Sequence, residues 1–486
     1  MTYKPETSGT TALALGRRKV PVAVPVAWQS PFEAYQKVYA PNSFLLESVS
    51  GPLRIARYSI IGLEPHTIFE AKGSRIKVLD NEGERVMVGD PLRVLRRLCA
   101  DFAIRSPKHF CGGAVGYLGY DVARFIEELP NLAKDDLGLP DACFLFCSVF
   151  IVFDHENKTA EIIVMVDDNG GSAAYRAADE RMSALVKTLE GSPSEARPGA
   201  GGRRTKWTSN FSKETFTRAV AEAKEYIAAG DIYQVNLSQR LTAATVSSPL
   251  AIYSILRELN PSPFAGFFDF GDWHLVGCSP ERLVKLDGRW AQTRPIAGTI
   301  RRGRSDVEDD VLIGQLTKDI KERAEHIMLV DLERNDLGRV CDFGTVAVDE
   351  LATTESYSHV THIVSNVVGR LRSDRDGFDL IRAAFPGGTI TGCPKVRAME
   401  IIEELEPVRR GPYTGAMGYI AANGNLDLNI IIRTLVIKDG QAHVQAGAGI
   451  VADSDPEREY YETLYKAEAL VQATTLAEER HGCLPT

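Results

Sequence analysis

Residues Ala142 to Val166, ACFLFCSVFIVFDHENKTAEIIVMV, most restrict what this chain can become. Two apolar runs rich in β-branched and aromatic residues flank a polar turn at His155 to Lys158, which predicts a long antiparallel strand pair. Such a pair needs further strands and a covering layer to bury its apolar face. Further strands follow from FLLESV, from RYSIIGLEP (ending in a turn), and from FAGFFDFGDWHLVGCSPERLVKL, broken at Gly271 and Asp272. A last hairpin is expected from GAMGYIAANGNLDLNIIIRTLVIKDGQAHVQAGAGIVAD. PFEAYQKVY, Tyr175 to Leu189, the long segment stopped at Gly230 and SPLAIYSILREL have helical periodicity. Strands outnumber βα alternations, so the predicted class is an α+β sandwich rather than a doubly wound sheet.

The 486 residues suffice for roughly two to four average domains or one unusually large one. Composition divides them into a first region over 20–189, a Gly-, Pro-, Ser- and Arg-rich linker over 190–209, and a second region over 210–475. A net charge of −9 argues against nucleic-acid binding, which calls for a basic face. No apolar run reaches the roughly 20 residues that cross a bilayer. The proline-interrupted segment after Lys19 makes a poor signal peptide, so a cytoplasmic protein is expected. The eight cysteines form no C-x-x-C pair, which leaves neither structural zinc nor a disulfide framework as an expectation. GGAVGYLG lacks dinucleotide-binding spacing and better suits close backbone packing inside a sheet.

Chemistry concentrates around two carboxylate pairs. Glu322 and Glu325 lie three residues apart in TKDIKERAEHIMLVDLERNDLG, and Glu459 and Glu462 do so in DSDPEREYYETLYKAEAL. Helical spacing puts each pair on one face. One such pair is usually a solvated face, but two helices each offering a pair could clamp Mg2+. RPIAGT and FPGGTITGCPK are Gly- and Thr-rich bends able to hold a carboxylate, and neither is a P-loop. Gly447 and Gly449 permit close approach of a ligand to backbone. Arg433 is a lone charge in the apolar run NIIIRTLVI, suited to a bidentate grip on an anion. His362 sits in a similarly apolar segment, as either a structural or a catalytic group. The expected ligand is a small polyanion with one carboxylate bridged by Mg2+.

In order along the chain, GDIYQVNLSQRL, CSPERLV, RPIAGT, KERAEHIMLVDLERNDLGRV, YSHVTHIVSNVVG, FPGGTITGCPKVRAMEIIEELEP, GPYTGAMGYI, IIIRTL, QAGAGIVADSDPEREY and YETLYKA resemble the chorismate-utilising enzymes. That family includes anthranilate synthase component I, aminodeoxychorismate synthase component I and the isochorismate and salicylate synthases. The resemblance is strong over about Lys213 to Ala473 and weaker before it. It implies a large α/β sandwich of two facing antiparallel sheets with outer helices. It also implies that Glu325 and Glu462 bind Mg2+, supported by Glu322 and Glu459, and that the ion holds the ring carboxylate of chorismate. Arg433, Tyr413 and the amides of Gly447 and Gly449 would hold the enolpyruvyl carboxylate. Gly298, Thr299, Thr389 and Lys466 would complete the pocket, with Glu281 protonating the departing 4-hydroxyl and His362 beside the ring.

Two positions sharpen the expected reaction. Family members that add water carry a lysine base at the position of Gln234, and glutamine cannot take that proton, so ammonia is the expected nucleophile. No glutaminase motif is present, so a separate glutamine amidotransferase subunit would deliver it. Ala297 lacks the nucleophilic lysine of one aminodeoxychorismate synthase branch. QVNLS, VDLERNDLGRVC, FPGGTITGCPK and LDLNIIIRTL are similar to the alanine-bearing branch of those synthases. The first expectation is therefore an aminodeoxychorismate synthase component I. Anthranilate synthase component I is the alternative, and a non-catalytic tryptophan-sensing subunit a remote one. FLLES and NPSP resemble the tryptophan site of anthranilate synthases, which would place such a site at Leu46, Glu47, Ser48, Asn260 and Pro261.

Overall fold

The computed structural model describes residues 19–106, 108–192, 206–357 and 360–482. Its strands join in one continuous antiparallel network with helices against it, so the α+β class holds. The strand Ala142–Asp154 pairs with Thr159–Asp167 across the expected turn, and on its other edge with Tyr58–Lys72. That second strand runs on where a turn was expected after Pro65. A register shift between Pro65 and Thr67, with Glu64 at φ 55°, forms a bulge that absorbs the missing proline N–H. Lys19–Val26, not anticipated as a strand, pairs with Thr159–Asp167. Pro21 and Pro25 stand four residues apart, so both imides turn to the same side of this strand.

The two compositional regions share the sheet. Phe44–Glu47 pairs with Phe264–Asp269, and Gly113–Leu118 pairs with Ala416–Ala421. Gly113 permits this packing, because a Cβ there would stand 2.2 Å from the Ile420 carbonyl oxygen, and Gly116 does the same against the Cys143 carbonyl of Ala142–Asp154. The GGAVGYLG glycines thus serve the sheet, as their spacing suggested. Most of the expected linker, residues 193–205, lies outside the described residues.

The helix Lys213–Ala229 starts at the Ser212 cap and ends at Gly230 in the left-handed conformation, φ 82°. The first acidic segment is two helices, Asp306–Lys318 and Ile320–Gly338. The break falls at Asp319, whose Oδ1 accepts from the Glu322 amide at 3.1 Å and caps the second helix. The expected final hairpin is four strands, Ala416–Ala421, Leu426–Ile430, Thr434–Lys438 and Gln441–Ile450. Gln441–Ile450 pairs along its length with Gln234–Ala244, and the C-terminal helix Pro456–Gly482 packs on it. Among the described residues no helix is long and apolar enough to cross a membrane.

Candidate active site

The carboxylate helix Ile320–Gly338 packs on Ile296–Arg301 and Val360–Arg370, which aims its first acidic pair at the RPIAGT bend. Gly298 lies at a bulge between Ala297 and Thr299 with φ 69°. A Cβ there would come within 3.1 Å of Glu322 Oε2, so glycine serves both the turn and the approach of the carboxylate. Glu325 Oε1 accepts from Gln234 Nε2 at 2.9 Å and lies 3.9 Å from the point a Gly449 Cβ would occupy. The helical phase inferred for Glu322 and Glu325 therefore holds.

On the C-terminal helix, Lys466 Nζ bonds Glu462 Oε1 at 2.8 Å and the Gly447 carbonyl at 3.0 Å. Lys466 thus ties this helix to the glycine strand. Glu459 stands one turn before Glu462, its amide bonded to the Asp455 carbonyl. Among the described residues, no three His, Cys, Asp or Glu side chains converge tightly enough to hold a metal by themselves. Glu325 and Glu462 are instead bonded to Gln234 and Lys466 respectively, and each is a carboxylate of the kind Mg2+ takes one or two of, completing its shell with water and substrate oxygens.

Glu281, just beyond the strand Trp273–Ser279, is 5 % exposed. Burial pushes its pKa up to about 7, and the facing Thr389 hydroxyl, an Ile296 backbone group and Lys466 offset only part of the rise. Its Oε1 is buried without a hydrogen-bond partner. A carboxyl that keeps its proton near neutrality and has an unengaged oxygen is equipped as a general acid. Farther along the carboxylate helix, burial also raises the pKa of Glu333, helped by Glu281 and Asp336.

Arg433 has φ 52°, outside the range its β-branched neighbours favour, and burial lowers its pKa. Among the described residues its guanidinium has no ion-pair partner. Tyr413 faces it, itself shifted upward by burial. His362 Nδ1 lies 2.8 Å from Thr299 Oγ1. Burial, reinforced by Arg433, lowers the His362 pKa to about 4, so its ring is neutral at pH 7. A strained, desolvated and unpaired cation marks the place for an anion.

Gly447 and Gly449 face polar groups of this chain itself. The sites their Cβ atoms would fill hold side-chain tips from the neighbouring strand: Asn236 Oδ1 at 2.3 Å from the Gly447 position, and Gln234 Nε2 at 2.7 Å from the Gly449 position. Glycine therefore makes room first for this chain's own polar groups, and Gln234 keeps its Oε1 buried and unpartnered.

Leu46, Glu47 and Ser48 line a cavity of about 550 Å³ together with Arg54, Tyr58, Pro263 and Phe264. Asn260 and Pro261 are not among its lining residues; Asn260 Nδ2 instead donates to the Cys278 carbonyl at 3.4 Å. The Glu47 carboxylate is held by Arg257 at 2.7 and 2.9 Å and by the Tyr253 hydroxyl at 2.9 Å.

Sequence reading passed over Arg410. It is 2 % exposed, bonds both Glu406 oxygens (2.7 and 3.0 Å), and donates to the carbonyls of Asn236 (2.6 Å) and Ile390 (3.0 Å). Its guanidinium also lies 5.6 Å from the Tyr413 ring centre. One cation thus locks together the Gln234 strand, the FPGGTITG bend and Tyr413. Glu406 and Arg410 lie beyond the end of the helix Lys395–Leu405, so helical spacing did not mark the pair in the sequence.

A chorismate binding enzyme family model matches residues 43–472. The chain is 47% identical over 447 residues to the anthranilate synthase component 1 of Acetivibrio thermocellus, covering 90% of each chain. It is 42% identical over 469 residues to the aminodeoxychorismate synthase component 1 of Bacillus subtilis, covering 95% of this chain and 98% of that one. The crystal structure of anthranilate synthase component I from Streptococcus pneumoniae superposes with a TM-score of 0.77 at 36% identity, covering 87% of this chain and 93% of that one. With a buried acid, an unpaired arginine and two acidic helices in the matched region, this chain belongs to the chorismate-binding enzyme family.

Proposed function

We propose that this chain is an anthranilate synthase component I, acting in the cytoplasm on chorismate with ammonia from a separate glutamine amidotransferase subunit. The observation that carries the chemistry is Glu281, a buried carboxyl with a pKa near 7 and one unengaged oxygen. Arg433 and Tyr413 hold the enolpyruvyl carboxylate. Glu325 and Glu462, with Glu322 and Glu459 behind them, would hold Mg2+, whose charge would offset that of the ring carboxylate. Glu281 gives its proton to the 4-hydroxyl, which leaves as water while ammonia adds at C2; the ammonium so formed then loses one proton and Glu281 is reprotonated. Gln234 Oε1 can accept a hydrogen bond from ammonia but cannot deprotonate water, which favours amination over hydration. Loss of the C2 proton with cleavage of the C3–O bond then makes the ring aromatic, and the departing enolpyruvate takes up a proton to leave as pyruvate.

The greater identity to an anthranilate synthase favours this product over the 4-amino-4-deoxychorismate first expected. QVNLS and LDLNIIIRTL, together with the Bacillus subtilis relative, keep aminodeoxychorismate synthesis as the second reading. Purified protein with chorismate, ammonium and Mg2+ decides the matter. Fluorescent anthranilate should form directly, whereas a product giving 4-aminobenzoate only after a lyase is added would establish the second reading. Tryptophan is proposed as an inhibitor bound in the cavity lined by Leu46 and Ser48. Inhibition in the same assay, absent when Ser48→Trp fills that cavity, checks it.

The metal assignment has its own measurement. Glu325→Ala and Glu462→Ala should each raise the Mg2+ concentration needed for half-maximal turnover by about 10- to 100-fold. An unchanged Mg2+ requirement would remove these two ligands.

A further inference from the structure

The Asn236 carboxamide carries an assignment that the family resemblance did not supply. Asn236 lies on the strand Gln234–Ala244 opposite Gly449, with its backbone anchored at both ends: its amide donates to the Thr391 carbonyl at 2.9 Å and its own carbonyl accepts from Arg410 at 2.6 Å. Strand alternation sets its side chain on the same face as that of Gln234, which reaches Glu325. The absent Cβ of Gly447 leaves a place filled by two tips, Asn236 Oδ1 at 2.3 Å and the Tyr413 hydroxyl at 2.8 Å. Oδ1 is buried and unpartnered, whereas Nδ2 is not among the buried unpartnered atoms and has no hydrogen bond within the described residues. The two N–H donors of Nδ2 are therefore uncommitted among the described residues, on a carboxamide whose Oδ1 lies beside Tyr413, and Tyr413 in turn interacts with Arg433.

We infer that Asn236 is a substrate-binding residue: Nδ2 donates to the carboxylate that Arg433 and Tyr413 also hold. The assignment rests on reading this cleft as the chorismate site. An amide beside a guanidinium and a phenol lets the pocket grip a carboxylate in a set orientation without adding a second charge. The anchored backbone keeps the amide in place before substrate arrives.

The test is equilibrium titration of the Mg2+-loaded protein with chorismate in the absence of ammonia, followed by steady-state kinetics in both substrates. Asn236→Leu keeps the volume and loses the donors, and should weaken chorismate binding about 10-fold. Asn236→Asp adds a negative charge beside the carboxylate and should weaken it more. In both variants kcat at saturating chorismate should stay within about 3-fold of wild type, and KM for ammonia should be unchanged. Wild-type chorismate affinity in a folded Asn236→Asp protein overturns the inference. So does a raised ammonia KM with unchanged chorismate binding, which would assign the amide to the nucleophile. If the wild-type protein itself fails to bind chorismate, the reading of the cleft falls, and this assignment falls with it.

Discussion

Replacing Glu281 by Gln should lower kcat by about 10³-fold while leaving chorismate affinity within a few-fold, since general-acid catalysis contributes about 10²–10⁴ and the amide keeps shape and hydrogen bonding. The working form of Glu281 is the protonated one, so wild-type kcat should fall as pH rises through about 7, and the residual activity of the variant should lack that limb. The same substitution has an opposite effect on stability. In the native protein the Glu281 carboxyl holds its proton up to about pH 7, in the unfolded chain only to about 4.5. Between those values the native state binds more protons, so its stability falls as pH rises, by up to about 3 kcal/mol. Glutamine has nothing to ionise. At pH 8 the variant should therefore unfold at a higher urea concentration than wild type, and at pH 4 at about the same one. A variant less stable than wild type at pH 8 would contradict the buried, proton-holding environment.

Arg433→Met should weaken chorismate binding by about 100-fold, the upper range for a charge-assisted, bidentate contact. Here too stability should rise, because the half-buried guanidinium has no ion-pair partner among the described residues. Methionine removes that charge and keeps most of the apolar stem. Arg433→Lys should lose about 10-fold in binding, since an ammonium cannot make the planar two-point contact. Equilibrium titration with chorismate and a urea melt on the same samples measure both effects. Unchanged affinity in Arg433→Met would show that the cation serves the fold rather than the ligand. Both sites follow one logic: a group placed in a costly environment for the ligand's sake costs the empty protein stability.

Several features of the site were legible before any fold was known, because they depend on local geometry. The E-x-x-E spacing by itself puts Glu322 and Glu325 on one helical face, and both do turn inward, to Gly298 and Gln234. The lone arginine of NIIIRTLVI stood out from its apolar neighbours, but it lies in a bend between Leu426–Ile430 and Thr434–Lys438 and not within a strand as the run suggested. The strand pair around His155 to Lys158 formed as its alternation and polar turn required. Family likeness named chorismate, but its motif wording leaned to one product and overall identity to another.

Other features arose only when distant segments met. The proton affinity of Glu281 is a property of its burial against the Thr389 bend, more than a hundred residues away, and nothing in CSPER encodes it. Arg410 became the pin of the site because a helix end, a strand and a bend converge on one guanidinium. The glycines of QAGAGIV were readable as a demand for space, but their partners were not. Antiparallel pairing sets Ser238 opposite Gly447 and Asn236 opposite Gly449, and the tips of Asn236 and Gln234 reach the two glycines diagonally, an arrangement that belongs to the sheet and not to either strand. Spacing along one element fixes which side chains share a face; only tertiary packing sets what that face meets and how far water is excluded, and desolvation and pairing give these groups their chemistry.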